Sequence, residues 1–195
     1  MGKVMRISVL ATAAFALSSG AFAAEPPQQE TFTALFATTC MQHFYAPEKL
    51  RANMTSQSAP VLQGEQSQFF LGGSPGTAWS IRLPDGMYVV SWRDDGVCTV
   101  FAQHAPVAEI QSNFAALVAS APEPLIASPR ATGGPNTDAL KTSSYAWHRS
   151  EEETELLFTL TTSSEATAAV QAMASMAVAN KPNNSFKAKP LRGSP

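Results

Sequence analysis

The sequence predicts an α+β domain: an antiparallel sheet of about five strands with helices packed on it, tied by one disulfide. Three observations predict it. Apolar residues at helical spacing open the mature chain, and a stretch from residue 77 to 102 then alternates with period two, interrupted by Pro84-Asp85-Gly86 and Asp94-Asp95-Gly96. The two cysteines, Cys40 and Cys98, fall one in each pattern. At 195 residues, 45% hydrophobic and 14% charged, the chain has the composition of a globular protein and not of a disordered or fibrous one.

The chain begins with the pattern of a secretory signal. Lys3 and Arg6 supply positive charge, residues 7–17 form an apolar run, and Ala21-Phe22-Ala23 follows. Signal peptidase needs small side chains at the first and third positions before its cut, which places cleavage between Ala23 and Ala24. A cut after Ala24 would put Phe22 at a restricted position. The apolar run is shorter than the roughly 20 residues that span a bilayer, and Ser18, Ser19 and Gly20 end it, so it reads as a signal and not as an anchor. No cysteine follows the run to carry a lipid, and no later segment reaches spanning length. The mature protein is expected to be periplasmic or secreted, with residues 24–181 forming a single domain.

Residues 24–29 read as a flexible entry. From 30 to 45, Phe32, Leu35, Phe36, Cys40 and Phe44 recur at helical spacing and predict an amphipathic helix with Cys40 on its buried side. Pro47 disfavours helical geometry at Ala46 and suits the first turn of a second short helix over 47–55. Between 56 and 76 the pattern weakens, apart from Phe69-Phe70-Leu71, and ends in Gly72-Gly73-Ser74-Pro75-Gly76, which predicts a surface loop. A phosphate-binding loop would need a Lys-Ser/Thr pair that this cluster lacks.

Three strands follow over 77–83, 87–92 and 97–102. Asp-Gly turns supply the positive φ of tight hairpins, so these form a meander whose third strand points Cys98, Val100 and Ala102 toward the helices. Pro106 opens a helix with Val107, Ile110, Phe114, Leu117 and Val118 on one face. Residues 121–138, with four prolines and two glycines, predict a long irregular connection. Strand-like runs at 143–149 and 154–161 come next. An Ala-rich helix over 164–179, capped by Ser164 and lined by Val170, Met173 and Ala177, closes the domain. The predicted order is α-α-β-β-β-α-β-β-α. Residues 182–195 hold Lys187, Lys189 and Arg192, three prolines and no acid, which predicts a disordered basic tail.

Charge and residue chemistry narrow the function. Residues 24–180 carry seven basic and fifteen acidic side chains, so no basic field points to nucleic acid. An even cysteine pair without Cys-x-x-Cys spacing in an exported chain predicts a structural Cys40–Cys98 disulfide and no redox or metal site. His43, His104 and His148 stand alone, without the spacing of a metal site. Neither Gly-x-Ser-x-Gly nor Ser-x-x-Lys occurs. Asp94, Asp95 and the run from Glu151 to Glu155 read as solvated turns. Trp79, Trp92 and Trp147 fall in predicted strands, where packing is the ordinary role and a sugar-stacking platform the alternative; Met173 and Met176 read as core filler. No catalytic, metal-binding or cofactor-binding residue is assigned.

The signal pattern, the Phe36-x-x-x-Cys40 helix and the strand Gly96-Val97-Cys98-Thr99-Val100 resemble those of small uncharacterised exported (periplasmic) proteobacterial proteins with a single Cys pair. The resemblance implies export and one disulfide, and it carries no active-site residue. The expected function is non-enzymatic binding of another macromolecule, a protein or an envelope component, in the manner of an inhibitor or immunity-type protein. The alternatives are a small periplasmic hydrolase whose residues converge only in three dimensions, and a carrier of a small ligand or envelope glycan on the Trp-bearing sheet. Mass spectrometry of the protein from fractionated cells should find an N-terminus at Ala24 in the periplasmic or secreted fraction; a retained Met1 in the cytoplasm would refute export.

Overall fold

The computed structural model describes residues 28–131, 133–134 and 136–182, with side chains from Thr31 onward. The expected signal segment with its Ala23–Ala24 junction lies outside the described residues, as does the expected tail apart from Pro182.

Helix α1 (Gln28–Phe36) runs directly into a π-helical turn (Ala37–Met41). Phe32, Phe36, Cys40 and Phe44 are buried, as their spacing predicts. The wider turn lets the adjacent Thr39 and Cys40 both face inward. The Thr39 hydroxyl is satisfied by donating to the Leu35 carbonyl at 2.5 Å. Ala46 is non-helical, with φ −144° and ψ 63°, and Pro47 opens α2 (Pro47–Ser56), which buries Leu50 and Met54.

Seven strands make one sheet: β1 (Gly76–Leu83), β2 (Gly86–Arg93), β3 (Cys98–Ala102), β4 (Ile126–Arg130), β5 (Leu140–His148), β6 (Thr154–Ser163) and β7 (Ala172–Asn180). Their spatial order is β1-β2-β3-β7-β6-β5-β4, and every neighbouring pair is antiparallel. Two meanders, β1–β3 and β4–β7, therefore meet at the β3–β7 pair. Two further helices complete the fold, α3 (Gly64–Leu71) before β1 and α4 (Val107–Val118) between the meanders.

The α+β class stands, whereas the strand count and element order need correction. The expected closing helix over 164–179 is instead strand β7. Alanine favours helices intrinsically, but β7 occupies the middle of the sheet, where Ala172 and Ala174 are fully buried beneath the helical layer. Met173 and Met176, close together on the expected helix, point to opposite faces of the sheet. The Pro-rich connection contains β4, which pairs with β5 at the sheet edge, a position that tolerates Pro129. The expected loop over 56–76 contains α3, so the order is α-α-α-β-β-β-α-β-β-β-β.

One sheet face carries the main core. Trp79, Tyr88, Trp92, Val100, Phe158 and Leu160 pack there against Phe32, Phe36, Leu50, Met54, Ile110 and Phe114 from the helices. Phe36 and Phe114 meet with ring centroids 5.8 Å apart. The Trp147 indole N–H donates to the Val118 carbonyl at the end of α4, at 2.7 Å. Cys98, Val100 and Ala102 lie on this same face, and the Cys40–Cys98 disulfide joins the π-helical turn to β3 with a Cα–Cα distance of 5.4 Å. Closing a loop of 58 residues removes unfolded-state entropy equivalent to about 4 kcal/mol on the chain-entropy account. The Cys40→Ala/Cys98→Ala double variant should lose stability of that order in urea denaturation; an unchanged midpoint would show that packing alone fixes the π-helical turn on β3.

Candidate functional site

Among the described residues, the opposite face of the sheet is covered over only part of its width. Helix α3 packs against Ala78, Val89 and Phe101 through Leu71, with Phe70 and Leu62 alongside. Its C-terminus is closed by Gly72, left-handed at φ 59°, with the Gly73 N–H donating to the Gln68 carbonyl and the Gly72 N–H to the Phe69 carbonyl. Gly76 then brings the chain onto the sheet so closely that a Cβ would lie 2.4 Å from the Trp92 carbonyl oxygen, which fixes glycine there. The glycine cluster, expected to be only a loop, thus caps α3 and directs it along the sheet.

Between α3 and the β6–β7 connection lies an apolar groove of about 390 Å3. Phe69 and Phe70 form one wall, Met87, Val89 and Phe101 the floor, and Ala169 with Val170 the far wall. Phe70 stacks edge-on against Phe101 at 5.0 Å, and Phe69 against Phe70 at 4.9 Å, leaving Phe69 60% exposed at the lip. The polar lining consists of Gln66, Ser80 and Gln103. These side chains can exchange hydrogen bonds, but none of the lining residues titrates near neutral pH. Among the described residues, the groove is thus lined by apolar side chains with three neutral polar ones.

Beyond α3 the same face becomes polar. Ser91, Thr99, Ser175, Thr159 and Ser144 stand in register across five strands, and the row ends at Arg130 on β4. Ser144 and Thr159 hydroxyls are 3.1 Å apart, and Thr142 and Thr161 hydroxyls 3.2 Å, so these groups partly satisfy one another. Arg130 grips Glu155 with Nε 2.9 Å from Oε1 and Nη2 2.5 Å from Oε2, while its Nη1 donates to Ser128 Oγ at 2.6 Å. Glu155 is buried, so the pair is well shielded from water. Its hydrogen bonds and charge raise the Arg130 pKa above the ordinary guanidinium value, overcoming the opposing effect of burial. Glu155 lies on β6, within the strand-like run expected over 154–161, but it is buried and not solvated as expected for the run from Glu151 to Glu155.

Ser128, His148 and Glu155 are the residue types of a hydrolase, brought to neighbouring positions on β4, β5 and β6. Their hydrogen bonds do not form a catalytic relay. Arg130 engages both the Glu155 carboxylate and the Ser128 hydroxyl, and buried His148 Nδ1 has no hydrogen-bond partner among the described residues.

The other residues singled out in the sequence are dispersed. His43 follows the π-helical turn, His104 lies after β3 and His148 ends β5. Among the described residues, no group of three or more His, Cys, Asp or Glu could hold a metal ion. Asp94 and Asp95 occupy the β2–β3 turn beside Arg51 and Arg93, and Glu152 pairs with Arg149 in the β5–β6 turn. All three tryptophans belong to the helix-covered face, with Trp79 and Trp92 buried, so they form no open stacking platform. No described helix is long and apolar enough to cross a membrane. Comparison with protein-family models, curated proteins and solved structures finds no match.

The Arg130–Glu155 pair gives a test of what holds the β4 edge. Glu155→Ala should cost about 3 kcal/mol in chemical denaturation, because it leaves a partly buried guanidinium without its counter-charge. Arg130→Met combined with Glu155→Leu should recover most of that loss; equal destabilisation in both variants would assign the effect to packing instead of charge.

Proposed function

We propose that this is an exported, non-enzymatic binding protein, released by cleavage between Ala23 and Ala24, and that the α3 groove seats an apolar segment of a partner macromolecule. The observation that carries this reading is the groove itself: an apolar floor, Phe69 exposed at its lip, and no titratable side chain in its lining. Exposed aromatic residues beside a preformed cleft provide the anchoring surface that macromolecular interfaces use. The partner is a protein or envelope component, in the manner of an inhibitor or immunity-type interaction. The Cys40–Cys98 bridge is compatible with an oxidising compartment, and the resemblance to small exported proteobacterial proteins supports the same location.

Affinity capture from the native cell envelope, comparing the mature protein with Ala169→Trp, tests the reading. Ala169 is exposed on the groove wall, so an indole there would obstruct the groove while leaving the core unchanged. The mature protein should retain a saturable protein partner, and the variant should lose it by at least about tenfold, as expected from losing an anchored contact of ordinary strength. Equal retention would remove the groove from the interaction. Turnover of an ester or peptidoglycan substrate, abolished by His148→Ala without loss of folding, would replace binding with hydrolysis.

A further inference from the structure

Arg82 gives the apolar groove a charged end. It lies on β1 two residues beyond Ser80, and therefore projects from the same face of the sheet. It pairs in register with Met87, and the Met87 carbonyl accepts a hydrogen bond from the Gln103 backbone N–H. Met87 and Gln103 both line the groove, so Arg82 stands one strand spacing, about 4.8 Å, beyond its floor. The Arg82 side chain is exposed and makes no ion pair or hydrogen bond among the described residues. Arg51, Arg93, Arg130 and Arg149, by contrast, each face a carboxylate. Glu65 on α3 is also exposed, but its neighbour Gln66 is the residue that lines the groove.

An uncharged apolar trough with an available guanidinium at one end matches an amphiphile that has an apolar tail and an anionic head. We propose that the groove binds a medium-chain acyl carboxylate, with its tail over Met87, Val89 and Phe101 and its carboxylate against Arg82. The proposal rests on the α3 groove being the binding site for the partner's apolar segment and goes further by naming a small ligand that occupies the same groove in turn and so competes with that partner. Burial of the tail supplies most of the affinity, since each methylene removed from water strengthens binding about fourfold. Arg82 supplies the preference for an anion: a guanidinium offers two parallel donors that fit a carboxylate.

Isothermal titration of the mature protein with decanoate, decanol and decyltrimethylammonium, all below micelle formation, tests the assignment. Decanoate should bind with one-to-one stoichiometry and more tightly than either other probe. Arg82→Gln should weaken decanoate about tenfold while leaving decanol unchanged, the size expected for losing one charge-assisted hydrogen-bonded contact. Ala169→Trp should weaken both probes, and unchanged circular dichroism and melting would show that each variant remains folded. Equal decanoate binding by the parent and Arg82→Gln would overturn the role of the guanidinium while keeping the groove as an apolar site. Binding of none of the decyl probes would overturn the amphiphile proposal, leaving macromolecular binding to be decided independently by the envelope capture.

Discussion

The pairing of β3 with β7 turns two separate meanders into one sheet. Cys98 stands opposite Met176, Val100 opposite Ala174 and Ala102 opposite Ala172 along this seam. The alanines leave room for the helical layer to approach the centre of the sheet, and the disulfide fastens the π-helical turn where the two meanders meet. Helix α4 lies between the meanders in sequence and packs Ile110, Phe114 and Val118 into their shared core. If β7 were displaced, β3 and β6 would both lose their ladder partner on one side, and the helices would lose the common surface on which they rest.

Several parts of this arrangement were legible because the local chemistry allowed few alternatives. The Asp-Gly turns marked the first meander, and period-two alternation correctly turned Cys98, Val100 and Ala102 inward. With Cys40 on the buried side of the first helix, the disulfide followed. Strand β7 was obscured because alanine has no side chain large enough to reveal a face, and its value at the seam comes from neighbours distant in sequence. β4 was hidden by Pro129, which is acceptable only because that strand lies at an edge. α3 had a usable signal in Gly72 after Phe69-Phe70-Leu71, but its apolar residues pack on the less covered side of the sheet and show little periodicity. The groove was illegible for the same reason, since its lining joins α3, three strands and the β6–β7 connection.

The two sheet faces differ in how they are covered: one carries the main core, the other a smaller cluster under α3. The tryptophans and most large aliphatic side chains face the helices, where Trp79 and Trp92 are buried and Trp147 is partly buried. The other face changes across its width from an apolar trough to a row of hydroxyls and then to a shielded ion pair. The Ser144–Thr159 and Thr142–Thr161 hydroxyl pairs and the Arg130–Glu155–Ser128 cluster each bond internally, whereas the buried Ser91 hydroxyl has no partner among the described residues.

The sheet also presents two very different borders to the surrounding solution. At β1, the Leu62 N–H donates to the Ala78 carbonyl and the Ser80 N–H to the Pro60 carbonyl, so a short piece of the same chain already occupies part of that border. At β4, Pro129 has no N–H to offer, and the strand is only five residues long. An incoming strand would find one border partly filled and the other interrupted, which discourages recruitment of another molecule into a continuous ladder. Broad as the seven-stranded surface is, its rims are built against polymerisation.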